Sequence, residues 1–184
     1  AQISAISDDI AYNNHDIQDG IRAKMFNLND LIEINFFKDI YKSHKKNIKN
    51  NNKDILIYQI IRDSIDLMVK DLIKNTKNNL KINKIKSLKN VYKLDEPIVC
   101  FSSQFLKIEK EVRFFLRSKM YNNKKVLLKN NHGKKIVSEL FYKIKNNPKK
   151  FITAEQLNKD PNRAIADFIS GMTDRYAINL NKGI

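Results

Sequence analysis

The sequence has few of the residues that build disulfide frameworks, tight turns or membrane spans. Its 184 residues include one cysteine, three prolines, four glycines and no tryptophan. The single cysteine, Cys100, excludes an internal disulfide and is typical of a reducing compartment. Few glycines and prolines disfavour a β-rich fold with many turns. Because no apolar run approaches the ~20 residues of a membrane span and the start lacks signal-peptide features, we expect a cytoplasmic protein without a membrane partner.

Lysine dominates the charge of the chain. There are 35 Lys and Arg residues against 20 Asp and Glu residues, which gives a formal net charge of +15. Such an excess predicts attraction to polyanions such as nucleic acid. The lysines are interleaved with asparagine and isoleucine, however, and all three have AT-rich codons. A drift in genome composition therefore explains the same balance without a nucleic-acid ligand, and both interpretations stay open at this point.

Apolar residues recur at intervals of three and four along most of the chain, which is the spacing of amphipathic helices. The predicted fold class is therefore all-α, a multi-helix bundle that forms a single helical unit over residues 1–184. The predicted helices are 2–22, 30–41, 54–80, 102–121, 123–146 and 161–180. The expected N-caps are Asn27 or Asn29, Ser102 or Ser103, and Asp160.

Several local features qualify this pattern. Residues 42–53 are rich in lysine and asparagine, so we expect an exposed and mobile connector there, with His44 solvated in it. Gly20 is expected to weaken the end of the first helix, and residues 132–133 to interrupt the fifth. The helices 54–80 and 161–180 should pack in one bundle, with Gly171 permitting close approach. Three side chains of the last helix should face inward: Phe168, Met172 and Tyr176.

The first predicted helix carries an acidic face opposite its isoleucines. Residues 1–19 contain four aspartates and no lysine or arginine. Successive residues rotate by ~100°, which brings five polar side chains together: Asp8, Tyr12, His15 and Asp19, flanked by Asp16. Carboxylates one and two turns apart can hold a cation and a phosphate-bearing ligand, and we expect aspartates without basic partners to repel one another. The alternative is the solvated face of an ordinary helix, although Asn13 and Asn14 are poor helix formers with no evident structural purpose.

Two stretches carry a resemblance to a known family. Residues 7–22, SDDIAYNNHDIQDGIR, resemble the signature that opens the C-terminal half of bacterial deoxyguanosinetriphosphate triphosphohydrolase-like proteins, in the HD phosphohydrolase superfamily. Residues 162–177, NRAIADFISGMTDRYA, are similar to the motif near the C-terminus of that family. The resemblance covers nearly the whole chain. It implies that residues 1–41 end the HD core and that residues 54–184 form the family-associated helical region.

The resemblance implies a metal-dependent enzyme that converts deoxynucleoside triphosphates to deoxynucleosides and tripolyphosphate, and that forms a homo-oligomer. In that family His, His-Asp and a distant Asp hold a divalent metal ion (Mg, Mn, Fe, Ni or Zn, which the sequence does not distinguish), and Asp8 matches the distant Asp. Tyr12 and Asp16 match positions that line the nucleotide site. Four further residues are expected to surround the metal ligand and the nucleotide-lining residues: Asp9, His15, Asp19 and Arg62.

The His and His-Asp ligands of the family have no match in this chain. No His-Asp pair precedes Asp8, so we assign no catalytic residue and expect a C-terminal fragment that is inactive alone. Such a fragment should expose apolar surface around Ile3, Ile6 or Ile10, or on neighbouring helices. The alternative function is a basic, non-catalytic helical module that binds nucleic acid. A third hypothesis combines the two, with single-stranded nucleic acid bound on a basic outer surface of the enzyme.

Overall fold

The computed structural model describes residues 1–45 and 53–184, and in these ranges every regular element is a helix, which confirms the all-α prediction. The helices are α1 (Gln2–Arg22), α2 (Leu28–Leu31), α3 (Asn35–Lys45), α4 (Lys53–Ile82), α5 (Leu88–Val91), α6 (Ser103–Leu116), α7 (Lys124–Asn146), α8 (Ala154–Lys159), α9 (Pro161–Ser170) and α10 (Asp174–Gly183). A π-helical turn, Arg117–Tyr121, continues α6, and a 3-10 turn, Pro148–Lys150, follows α7. None of the described helices combines the length and apolarity that crossing a bilayer requires.

The described residues form two compact units, Ala1–Asn123 and Lys124–Ile184. Each unit has its own hydrophobic core. The sequence signalled no boundary between residues 123 and 124. The sequence predicted that helices 54–80 and 161–180 share one bundle, and in the structure α4 contributes to the first core while α9 and α10 contribute to the second.

The first unit is built around contacts of α1 with α4 and α6, and of α3 with α4. Its largest fully buried apolar side chains are Ile17, Leu31, Phe37, Ile60, Met68 and Leu116. The ring of Phe26 packs edge-on against Phe115, with ring centroids 4.8 Å apart. The same ring occupies the space where a Cβ on Gly20 would lie. Gly20 therefore permits the Phe26 ring to pack closely on α1, which continues to Arg22, and does not weaken the helix end as expected.

Side-chain caps divide the apolar pattern at two places where one helix was predicted. Asn27 and Asp30 form a capping box that begins α2 before residue 30, and α3 follows as a separate helix. Thr173 accepts a hydrogen bond from the Tyr176 amide (3.3 Å) and begins α10, so the predicted helix 161–180 is two helices. Gly171 ends α9, and no atom of another described helix lies within 4 Å of its Cβ position. A capped start is more favourable here than continuation of the helix.

Other boundaries follow the sequence more closely. Ser102 and Asp160 cap α6 and α9 as predicted, with Asp160 accepting from the Arg163 amide at 3.1 Å. The predicted connector 42–53 is helical to residue 45, and its residues 46–52 lie outside the described residues. The expected interruption at 132–133 is wrong, since α7 runs through it.

The second unit packs α7 against α9 and α10. Its buried core consists of Ile136, Leu140, Ile144, Ile152, Ile165 and Ile169. Phe168 and Met172 are half-buried against this core, as predicted. Tyr176 is 52% exposed, so its predicted inward position is wrong. It lies in the first turn of α10, whose rotation about its axis is set by the new start at Thr173.

Candidate functional site

α1 divides into a buried side and an open acidic side. The buried residues are Ile10, Asn13, Asn14, Ile17 and Gly20. The exposed ones include Asp8, Asp9, Tyr12, His15 and Asp19, and Asp16 is half-buried at the edge. The helix therefore presents to solvent most of the side chains to which the sequence assigned a role.

Three of the four α1 carboxylates have partners. Asp9 forms an ion pair with Arg113 of α6 (2.8 Å), and Arg113 also bonds Glu109. Asp19 lies 3.9 Å from the guanidinium of Arg22, one turn along α1. The expectation that these aspartates lack basic partners and repel one another is therefore wrong. Arg113 is 104 residues from Asp9 in the chain, so spacing within α1 could not reveal it.

Asp16 belongs to a cluster with two tyrosines. The Tyr121 hydroxyl donates a hydrogen bond to the Asp16 carboxylate. Burial, the hydrogen bond and charge of Asp16, and the neighbouring Tyr12 raise the pKa of the Tyr121 phenol, in that order of effect. Tyr12, Asp16 and Tyr121 thus form one polar wall, which we call the tyrosine–aspartate wall.

Tyr121 is the residue of this wall that sequence analysis missed. It ends the π-helical turn, in which the Asn122 amide donates to the Arg117 carbonyl at 3.0 Å. π-helical turns of this kind are frequent at functional sites. The sequence placed residue 121 at the end of a helix, but its pattern gave no signal that links it to α1.

Asp8 differs from the other acidic residues of α1. Its carboxylate is exposed and forms no hydrogen bond or ion pair with the described parts of the chain. Nothing in residues 1–45 or 53–184 therefore competes for its oxygens. His15 is likewise exposed and has no described hydrogen-bond partner.

The two asparagines of α1 have a structural place that the sequence did not suggest. Asn13 and Asn14 are both buried. The Asn14 side-chain amide donates to the Ile10 carbonyl (2.8 Å) and lies 3.7 Å from the Met68 sulfur of α4. Asn14 therefore packs where α1 meets α4, while its helix neighbours Tyr12 and His15 face outward.

Arg62 is engaged away from the acidic side of α1. Its guanidinium pairs with Asp63 at 3.2 Å, and Asp63 lies 2.6 Å from the ring of His44. Burial opposes ionisation of Asp63, but the hydrogen bonds from His44 and Arg62 outweigh it and hold the pKa of Asp63 below its usual value. The expectation that His44 is solvated in a loop is wrong, because it joins α3 to α4. No described contact links Arg62 to Asp8.

The described residues do not make a complete metal site. No group of three His, Cys, Asp or Glu side chains among them could hold an ion. A tight site for a divalent metal usually needs at least three protein ligands. A divalent ion bound at Asp8 would therefore need further ligands from outside these residues.

The expected apolar exposure on α1 holds in part. Ile3 is 65% exposed and Ile6 is half-buried, but Ile10 is only 4% exposed. Ile10 lies in the core that α1 forms with its neighbours. The exposed part of the isoleucine stripe is therefore limited to the first turn of the helix.

Comparisons with known proteins agree in pointing to one family. Residues 99–182 match the model of the phosphohydrolase-associated domain. The whole chain is 90% identical over 184 residues to a deoxyguanosinetriphosphate triphosphohydrolase-like protein of Pelagibacter ubique, of which it covers 50%. It is 36% identical over 184 residues to the protein of that name from Bartonella henselae, an alignment that covers 97% of this chain and 46% of that protein. It is 35% identical over 181 residues to the protein of that name from Leptospira interrogans, which covers 95% of this chain and 48% of that protein. The chain thus spans about half the length of these curated relatives.

Proposed function

Because the chain belongs to the family of deoxyguanosinetriphosphate triphosphohydrolase-like proteins, we propose that α1 contributes part of a metal-dependent triphosphohydrolase site. The site would convert a deoxynucleoside triphosphate to the deoxynucleoside and tripolyphosphate. The observation that carries the proposal is Asp8, an exposed carboxylate without a described partner, one and two turns before Tyr12 and Asp16. Family membership supports phosphohydrolase activity, and these three residues lie along one open side of α1.

Asp8 is the proposed metal ligand. Its oxygens are accessible, and neither Arg113 nor Arg22, which pair with Asp9 and Asp19, neutralises it. A divalent cation bound there would lower the pKa of a coordinated water and offset negative charge on phosphate oxygens. The other ligands are proposed to lie in the part of the family-length protein that this chain does not cover.

The tyrosine–aspartate wall is proposed to orient the nucleoside. The exposed ring of Tyr12 offers an apolar face for a sugar or base, and its hydroxyl can donate a hydrogen bond to a phosphate oxygen. The carboxylate of Asp16 can accept a hydrogen bond from a sugar hydroxyl. Tyr121 donates to Asp16 and fixes the carboxylate in place. This arrangement separates the two tasks, because Asp8 holds the metal while the wall positions the substrate.

The nucleic-acid hypothesis is supported by a different element. α7 contains seven lysines and one glutamate in 23 residues, and most of its lysines are exposed. Such a basic helix favours binding of polyanions, with a strong dependence on salt. We propose single-stranded nucleic acid as a second ligand of this helix, to be tested by titration of a labelled oligonucleotide at two salt concentrations. Binding that is equally tight at both concentrations would reject the proposal.

The catalytic proposal is tested in a chimera in which this chain replaces the matching part of the Pelagibacter ubique protein. Asp8→Ala should abolish tripolyphosphate release from all four deoxynucleoside triphosphates, because a ligand of the cation is lost. Tyr12→Phe should keep activity but weaken substrate binding or turnover, by roughly 1–3 kcal/mol for a lost hydrogen bond to a charged group.

Asp9→Asn is the matched control for Asp8→Ala. Asp9 is the adjacent acidic residue, rotated by ~100°, and its carboxylate pairs with Arg113. Its substitution should lower stability slightly and leave activity near that of the unsubstituted chimera. Full activity of Asp8→Ala, or equal losses in Asp8→Ala and Asp9→Asn, would contradict the ligand assignment.

A further inference from the structure

The first two turns of α1 receive little support from the hydrophobic core. None of residues 1–9 is buried, since Ile3 is 65% exposed and Ile6 is half-buried. Ile10 is the first buried residue of the helix. Parts of a protein that bury little apolar surface open locally more often than its core elements. Asp8 lies in this part of α1, so its position depends on contacts outside the core.

Two side-chain contacts tie residues 1–9 to the other described parts of the first unit. One is the ion pair of Asp9 with Arg113, whose side chains are 51% and 55% exposed. Exposed ion pairs of this kind add little stability. The other is made by Gln2, the first residue of α1, whose side-chain oxygen binds the backbone of the segment 98–102. Gln2 is therefore the main polar anchor of these two turns.

The segment 98–102, which we call the strap, leads into α6. Gln2 Oε1 accepts hydrogen bonds from the amides of Ile98 and Val99, each at 3.1 Å. The side chains of Ile98 and Val99 are buried, with 4% and 9% exposed. An amide that loses its partner at a partly buried position is unfavourable. The Gln2 oxygen therefore serves two amides that would otherwise be left unpaired.

α4 holds the strap in place from a second direction. Three of its side chains, each one turn after the last, bind the strap backbone: Asp71, Asn75 and Asn79. Their partners are the Ser102 amide, the Cys100 carbonyl and the Ile98 carbonyl, each at 2.9 Å. Residues four apart lie above one another on a helix, so all three reach the strap from one side of α4. The strap thus gives Gln2 a fixed point of attachment.

We propose that Gln2 is a positioning residue for Asp8. By binding the strap, its side-chain oxygen keeps the first two turns of α1 helical and seated on the first unit. Asp8 follows six residues later, about 9 Å along the helix axis, and is thereby held at a constant place. In this proposal Gln2 touches neither the cation nor the substrate. The inference rests on the proposed function, in which Asp8 is a metal ligand.

Two substitutions in the isolated chain separate the hydrogen bonds of Gln2 from its size. Gln2→Met removes the acceptor and Gln2→Glu retains one, while all three residues have similar helix propensity. Amide hydrogen exchange at Ile98, Val99 and Asp8 should be about tenfold faster in Gln2→Met, because two hydrogen bonds are lost. Gln2→Glu should exchange like the unsubstituted chain. Equal exchange in all three chains would overturn the proposal, since the anchor would then not form.

The same two substitutions in the chimera with the Pelagibacter ubique protein test the link to Asp8. Loss of the anchor should lower the fraction of molecules with an ordered α1 start, and the apparent affinity for Mn²⁺ falls with that fraction. Gln2→Met should therefore bind Mn²⁺ about tenfold more weakly, and saturating Mn²⁺ should restore tripolyphosphate release. Gln2→Glu should stay within about twofold of the unsubstituted chimera in about 0.15 M salt, which screens charges ~9 Å apart. Slow release by Gln2→Met at saturating Mn²⁺ would contradict a positioning role.

Gln104→Met is the matched control. Gln104 lies in the first turn of α6, is exposed, and forms no hydrogen bond with the described residues. Its substitution should change neither amide exchange nor Mn²⁺ affinity. Equal losses of affinity in Gln2→Met and Gln104→Met would overturn the proposal.

Asp8→Ala in the same chimera distinguishes the two levels of the account. Unchanged Mn²⁺ affinity in Gln2→Met, together with lost affinity in Asp8→Ala, would overturn this inference and leave the catalytic proposal intact. Retained affinity in Asp8→Ala would overturn the catalytic proposal, and the inference with it. Weakened binding in Gln2→Met, lost binding in Asp8→Ala and rescue by Gln2→Glu are the results that we expect.

Discussion

At the scale of single residues, the contact between Tyr121 and Asp16 joins the turn after α6 to α1. Because the Tyr121 phenol is half-buried and its hydroxyl donates to the Asp16 carboxylate, the neutral phenol is favoured in the folded protein and the pKa of Tyr121 is raised. The Tyr121–Asp16 contact therefore stabilises the folded protein at pH values below the ordinary tyrosine pKa of about 10. It is lost as the pH rises through the higher pKa of the folded protein.

Tyrosine absorbance at 295 nm can measure this effect. The chain has seven tyrosines. At pH values near the ordinary tyrosine pKa, the folded chain and its Tyr121→Phe variant should show the same absorbance change, since Tyr121 is still neutral. A change larger by one tyrosine in the unsubstituted chain would mean that Tyr121 titrates normally and that its contact with Asp16 does not form.

The residues within α1 were predictable, whereas their distant partners were not. Helical periodicity put Asp8, Tyr12 and Asp16 on one side because that inference needs only local spacing. Tyr121 and Arg113 reach α1 from more than 100 residues away. A single sequence holds no periodic signal for contacts of that kind, since they depend on how α6 packs.

At the scale of elements, α1 and the segment that follows it depend on a glycine. A Cβ on Gly20 would overlap the Phe26 ring, which is buried against Phe115. Gly20→Ala should therefore destabilise the first unit by about 1–3 kcal/mol through overpacking, more than the ~1 kcal/mol that alanine gains in helix propensity. Urea unfolding of the two proteins measures the difference.

Gly133→Ala is the control for this substitution. Gly133 lies within α7, and no atom of residues 1–45 or 53–184 lies within 4 Å of its Cβ position. The alanine should stabilise the chain by about 0.5–1 kcal/mol through helix propensity alone. If Gly20→Ala were equally stabilising, the close packing of Phe26 on α1 would be wrong.

The long helices were predictable and the short ones were not. α1, α4 and α7 lie close to their predicted ranges because each repeats its apolar pattern over several turns. The divisions between α2 and α3 and between α9 and α10 depend on caps at Asn27 and Thr173. One capping side chain can begin a new helix within a continuous apolar pattern. The apolar pattern by itself does not show where such a helix begins.

At the scale of the whole molecule, the described residues form two cores, whereas the sequence suggested a single bundle. The boundary follows the π-helical turn, where residues 122–123 separate two strongly periodic helices. No proline or glycine marks it. The division appears only when apolar side chains are assigned to one core or the other, which requires tertiary structure.

Separate cores predict separate responses to a cavity. Leu140 is fully buried in the second core, and Leu140→Ala should cost about 2–5 kcal/mol. Amide hydrogen exchange should accelerate across residues 124–184 while buried amides of α1 and α4 keep their protection. Uniform acceleration in both units would show that they unfold together and would contradict the division into two cores.

The central claim of the account is that Asp8 is a ligand of a catalytic divalent cation, and equilibrium binding of Mn²⁺ to the chimera tests it most directly. The unsubstituted chimera and its Asp9→Asn variant should bind the ion with similar affinity, because Asp9 pairs with Arg113. Asp8→Ala should lose this binding while keeping its fold by circular dichroism. Unchanged Mn²⁺ affinity in folded Asp8→Ala would contradict the claim.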